Sequence, residues 1–210
     1  MRVLAFAASA VVLSLATVSV APPPRAAFAF GDVGAFDPRI LITGSQTGPA
    51  HATAPARWAW ELVQRTSAPA RLQPAVVRAD DAAMVTDPFL YWSGESEVDA
   101  LTAPEIAGLR RFFGLGGVLL VDDALPGEQG EPSAFGRSTR RELARVLADS
   151  TRIAIGADHV IFRTFYLLNR AQGRVQGPAT LEAIVRGAQV QVLFSEHDIG
   201  GALARSLSGT

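Results

Sequence analysis

Gly116-Gly117-Val118-Leu119-Leu120-Val121-Asp122-Asp123 decides how the rest of this 210-residue chain is read. Four consecutive apolar residues, entered through glycine and left through two aspartates, predict a short strand buried on both faces. Such strands belong to parallel sheets covered by helices. The segment just before it supports this. Thr102 with Glu105 three residues on is a capping box. Ile106, Leu109 and Phe113 then form one apolar helical stripe, ended by Gly114. Helix, glycine pair and buried strand together make a unit of alternating α and β structure.

Working outward, the same alternation continues. Arg39-Ile40-Leu41-Ile42-Thr43 is a short apolar run closed by Gly44. Pro55 opens a helix over 56–67. Strands are predicted at 74–78 and 88–92, the latter stopped by Ser93-Gly94. A helix is predicted over 138–149, with Leu143, Val146 and Leu147 inward. Its Arg140, Arg141 and Arg145 are expected on a solvated face, paired with Glu142 or Asp149. Leu181 to Arg186 and Val190 to Phe194, joined at Gly187-Ala188, predict an antiparallel C-terminal hairpin. Together these elements predict an α/β three-layer sandwich with a mainly parallel sheet and helices on both faces. The strand 118–121 is expected at its centre, flanked by 40–43 and 89–92.

Composition narrows the chemistry. All 19 basic residues are arginine, against 20 acidic ones, for a net charge of -1. No basic stripe suits nucleic acid. Cysteine is absent, which removes disulfides, thiolate metal sites and any thiol nucleophile. The N-terminus reads as an address. Met1-Arg2 precedes an uncharged run from Val3 to Val20, then Pro22-Pro23-Pro24 and the small-residue pattern Ala27-Phe28-Ala29. This predicts a signal peptide over 1–29, cleaved near Ala29, and a single α/β domain over 30–210 in the periplasm or outside the cell. The alternative is an uncleaved anchor over residues 3–21, the sole expected route to a membrane.

In parallel α/β sheets, ligands sit beyond the carboxyl ends of the strands. The candidates there are Thr43-Gly44-Ser45, Ser93-Gly94-Glu95, Asp122-Asp123 and Ser195-Glu196-His197-Asp198. Two carboxylates at one strand end can bind a hydroxyl-rich ligand, act as a base or ligate a cation, or cap turns. With Asp158 and His159, the Glu196-His197-Asp198 cluster has the ligand types of a divalent-ion site but no recognised metal spacing. No metal or cofactor is therefore expected. The binding candidates are Gly94, Glu95, Asp122, Asp123, His159, Ser195 and Asp198. His51, in an Ala/Thr/Pro/Gly loop, reads as an exposed loop histidine. The turn Gly44 to Gly48 lacks the lysine of a phosphate-binding loop, and no G-x-S-x-G elbow is present.

Several blocks, in order, resemble the bacterial domain-of-unknown-function 4159 family over roughly residues 36–205. Phe89-Leu90-Tyr91-Trp92-Ser93-Gly94 is similar to a family strand ending in Thr-Gly-His, with Glu95 in place of the histidine. Leu109-Arg110-Arg111-Phe112 through Gly116-Gly117 to Asp122-Asp123 resembles the helix–glycine–strand–aspartate block. Phe135 and Arg140-Arg141-Glu142-Leu143 resemble the next helix. Asp158-His159-Val160-Ile161-Phe162 has Val160 where the family has proline. Phe194 to Gly200 resembles a strand and loop in which His197 replaces asparagine. The resemblance implies a flavodoxin-like sheet of the class I glutamine-amidotransferase type. It also implies partners among MoxR-type ATPases and von Willebrand A proteins of the cell envelope. A cysteine-dependent amidotransferase mechanism is excluded by composition. Two functions stay open: a non-catalytic ligand- or protein-binding domain, and a metal-assisted hydrolase built on Asp122, Asp123 and His159.

Overall fold

A computed structural model describes residues 35–164 and 166–204. The N-terminal address lies outside these residues. No described helix is long and apolar enough to cross a membrane.

Seven strands form one sheet: β1 (Arg39–Ile42), β2 (Val76–Arg78), β3 (Phe89–Gly94), β4 (Val118–Asp123), β5 (Thr151–Ile155), β6 (Leu181–Arg186) and β7 (Gln189–Ser195). Their order is β2-β1-β3-β4-β7-β6-β5. The first five in that order are parallel, while β6 runs antiparallel to both neighbours. This is the α/β, mainly parallel, flavodoxin-like arrangement expected, with the C-terminal hairpin in place.

Its neighbours correct one expectation. β4 is central, but it pairs with β3 and β7, and β1 lies one strand further out. The hairpin explains the difference. β7 enters beside β4 as a parallel strand, displacing any other partner from that edge, and carries β6 outward with it. β5 escaped the sequence reading because Thr151, Arg152, Ile153 and Ala154 are all exposed. An edge strand of this kind has no continuous apolar run to mark it.

Strand alternation divides the side chains between two layers. Leu90, Trp92, Leu119 and Val121 join the main core with Leu109, Phe112 and Phe113 of α2 (Ala103–Gly114) and Phe135 and Leu143 of α3 (Ala134–Val146). Tyr91, Leu120 and Asp122 face the opposite side, under α1 (Ala54–Thr66) and α4 (Ile199–Leu203). There Trp58 of α1 meets Tyr91 edge-on at 6.0 Å between ring centres. Further along that face, Ile155, Phe162, Leu181 and Ala183 form a second cluster beneath the long β5–β6 connection. The capping box is present: Thr102 Oγ1 accepts from the Glu105 amide, and Glu105 accepts from the Thr102 amide at 2.9 Å.

α3 begins four residues before the predicted helix, capped by the Ser133 hydroxyl. Of the three arginines expected on a solvated face, Arg140 is not there. It turns inward, donating to Glu182 at 2.7 Å and to Glu196, and lies 4.4 Å from the Phe194 ring centre. Arg141 and Arg145 are exposed and pair with Glu142, as expected.

Candidate functional site

The sheet order creates a switch point. β1 connects away to β2 on one side, while β3 lies on the other, so the loops leaving β1 and β3 part at the carboxyl edge. Between them is a crevice of about 280 Å³, lined by Gln46, Pro49, Ala50, Gly94, Glu95 and Glu97 among others. Its β1 wall is fixed by Gln46, whose Oε1 accepts from the Trp92 indole at 2.7 Å and from the Thr43 amide at 3.2 Å. Asp99 accepts from both the amide and the hydroxyl of Ser45. Gly94 is required where it stands, because a Cβ there would lie 2.5 Å from the Phe135 ring. Glu95 is exposed at the mouth. Thus Gly94 and Glu95 belong to this crevice.

Asp122 and Asp123 share the edge but not a pocket. Asp122 points toward α4 and accepts from the Tyr91 hydroxyl at 2.9 Å and from the Ile199 and Gly200 amides at 3.0 and 2.7 Å. Burial pushes its carboxyl up to about 6, against the pull of these three donors. The same burial, with the Asp122 charge beside it, raises the Tyr91 hydroxyl well above its ordinary value. Asp123 points the other way, accepting from the Ser133 amide at 2.7 Å and the Leu125 amide at 3.2 Å. It fastens the start of α3.

Asp198 stands beside Asp122, in a left-handed conformation (φ 50°) that starts α4. Its carboxylate accepts from the Gly201 amide at 2.8 Å, contacts His51 Nε2 at 2.9 Å, and takes the Arg174 guanidinium. Gly200 lets this cluster close, since a Cβ there would sit 2.4 Å from the Tyr91 hydroxyl. The Ser195 hydroxyl accepts from the His197 amide at 3.2 Å, and the Ser93 hydroxyl accepts from the Ala50 amide at 3.2 Å. Among the described residues, neither serine is hydrogen-bonded to an imidazole.

His159 is not brought to the aspartates. It follows β5, three strand spacings from β4, or about 14 Å at the usual separation. Its Nδ1 accepts from the Ile161 amide at 3.3 Å, capping a short 3₁₀ turn. No group of three or more histidine and carboxylate side chains among the described residues is placed to hold a metal ion. The Asp122/Asp123/His159 set is therefore not assembled. Adjacent residues on a strand face opposite ways, which already separates the two aspartates.

Three members of the Asp122–Asp198 cluster were not foreseen. His51 is not an exposed loop histidine, because its side chain is 19% exposed and bonded to Asp198. It sits in the loop after β1, where the carboxyl-edge rule alone could have flagged it. Tyr91 lies one strand from Asp122 on the same face, which alternation implies once β3 and β4 are paired. Arg174 carries no local signal; its position depends on the long β5–β6 connection.

Residues 40–209 match the family described as a domain of unknown function (DUF4159), and the chain belongs to that family. No curated protein matches the chain.

Proposed function

We propose that this chain is a non-catalytic binding domain of the cell envelope, engaging a ligand or protein through the crevice between the β1 and β3 loops. One observation carries the reading: the buried carboxylates that could do chemistry are already committed. Asp122 accepts three hydrogen bonds, Asp123 two, and Asp198 is met by an amide, an imidazole and a guanidinium. Among the described residues these carboxylates position loops, helix starts and the His51 ring, and neither Ser93 nor Ser195 is hydrogen-bonded to an imidazole, so no serine–histidine pair is formed. The crevice, by contrast, presents exposed Glu95 and Glu97 around a preformed polar wall. The signal-like segment from Met1 to Ala29 supports the envelope location. Envelope partners of the MoxR-ATPase and von Willebrand A kinds, which the family resemblance implies, fit a domain of this design.

The test has two arms. A photoreactive residue at Ser96 is expected to cross-link one discrete envelope protein in cells, while the same residue at Arg111, on α2, captures none. The purified domain is then assayed on ester, phosphoester, peptide and glycoside substrates with added zinc, manganese or calcium. Turnover that disappears in His51→Ala or Asp122→Asn would overturn the reading in favour of a hydrolase.

A further inference from the structure

On the same carboxyl edge, but beyond β7, residues 170–176 pass over His197 and border an open cavity of about 260 Å³. Its side chains are Arg170, Gln172, Arg174, Gln176 and His197, with Ala171, Gly173 and Val175 between them. Two arginines, two glutamines and a histidine thus border the space, and no aspartate or glutamate does. The cavity is slightly smaller than the ~300–1,000 Å³ of ordinary small-molecule pockets.

The loop is held in shape by its own backbone. The Arg174 and Val175 amides donate to the Asp198 and His197 carbonyls at 3.2 and 3.0 Å. Arg170 closes the loop by donating to the Gly177 carbonyl at 2.9 Å. Gly173 permits the close approach, since a Cβ there would lie 2.0 Å from the His197 carbonyl oxygen. Beneath the loop, His197 is 1% exposed. Its Nε2 is 2.9 Å from the Pro178 carbonyl, so that nitrogen carries the proton. Its Nδ1 is buried and has no hydrogen-bond partner. With the proton on Nε2, Nδ1 is an acceptor and offers an anion no hydrogen bond, so the attraction for a ligand falls to the arginines and glutamines of the loop.

Charge balance completes the argument. Arg174 is engaged by Asp198, which His51 also contacts, so that carboxylate is answered from two sides. Arg170 meets no carboxylate among the described residues; its one described bond is to a neutral carbonyl. A guanidinium spending one donor on a carbonyl keeps a full charge and further donors for a ligand.

We propose that the 170–176 loop and His197 form a binding site for a small oxyanion-bearing ligand, a phosphate or a carboxylate, with Arg170 as its principal charge partner. Arg174 and the two glutamines supply further donors. This goes beyond the binding role above, since it names a ligand chemistry at a different place on the edge and stands even if the β1–β3 crevice proves empty of partners.

The experiment uses the mature protein at constant ionic strength, with inorganic phosphate and succinate as probes and chloride as the control, read by calorimetry and thermal unfolding. Saturable binding of phosphate, of succinate or of both, with a rise in melting temperature that chloride does not give, is expected. Phosphate alone identifies a phosphorylated ligand, succinate alone a carboxylate, and both a general oxyanion site. Arg170→Gln is expected to weaken binding about tenfold or more, the effect of one lost charge-assisted hydrogen bond, with Arg170→Lys restoring part of it. Ring-nitrogen resonances of His197 in the unsubstituted protein are expected to move on saturation, a readout independent of the variants. No saturable binding at tens of millimolar, equal effects of chloride, or equal affinity in Arg170→Gln overturns the proposal.

Discussion

The carboxylates of Asp122 and Asp123, neighbours in the chain, hold opposite layers of the molecule. Asp122 receives the Ile199 and Gly200 amides of α4, and Asp123 the Ser133 amide at the start of α3. One strand end thus ties down both helical layers, through two residues whose side chains must diverge.

Asp122 makes stability depend on pH in a defined sense. Burial raises its folded value to about 6, above that of an unfolded aspartate. Its contribution is fully present below pH ~4 and is lost as pH rises through about 6, a span worth about 3 kcal/mol. Glu61, Asp99, Glu105 and Glu142 have lowered values and act in the opposite sense. Urea unfolding of the wild type and Asp122→Asn across this range separates the two, since only Asp122 differs. The stability of Asp122→Asn relative to wild type is expected to rise with pH; a constant difference would show that Asp122 titrates normally.

Arg140 answers a carboxylate that water barely reaches: the Glu196 side chain is 5% exposed. Arg140→Met should lose about 3–5 kcal/mol, because it strands that charge. Adding Glu196→Gln to the same chain should recover part of the loss. A single-variant loss under about 1 kcal/mol would mean the pair is solvated.

Gly108 lies inside α2, where alanine ordinarily gains about 1 kcal/mol. Here the added Cβ would fall 1.9 Å from the Ala79 carbonyl oxygen. Gly108→Ala should therefore destabilise, by about 1–3 kcal/mol, as overpacking does. A gain in melting temperature would place α2 farther from the segment after β2.

Leu120, 6% exposed on the central strand, tests the sheet order itself. Leu120→Ala should cost about 2–5 kcal/mol, as for buried leucines elsewhere. A loss below about 1 kcal/mol would remove β4 from the centre.

What could be read from the amino acids follows the physics of each element. β1, β3, β4 and the β6–β7 hairpin are marked by apolar runs bounded by glycine or serine, and α2 by Thr102 and Glu105. The pairing of β7 with β4 has no local mark, because it is decided by which edge accepts the hairpin. β5 is too exposed, and the five-residue α4 too short, to leave a pattern. The candidate site divides the same way. Gly94, Glu95, Asp122, Asp123, Ser195 and Asp198 follow from the strand-end rule. The Arg174–Asp198–His51 chain depends on contacts between segments far apart in sequence, and His159 stands at the β5 end of the same long connection that carries Arg174, capping a short turn there.

α4 buries Gly200 completely and Ile199, Ala202 and Leu203 in part, so its five residues bring only a small apolar face to the molecule. Its anchors are two aspartates and the amides they accept. An element secured largely by charge detaches on different terms from the body of the molecule. Among the described residues, α4 should therefore open at a rate set by acidity and salt while the central strands stay shut.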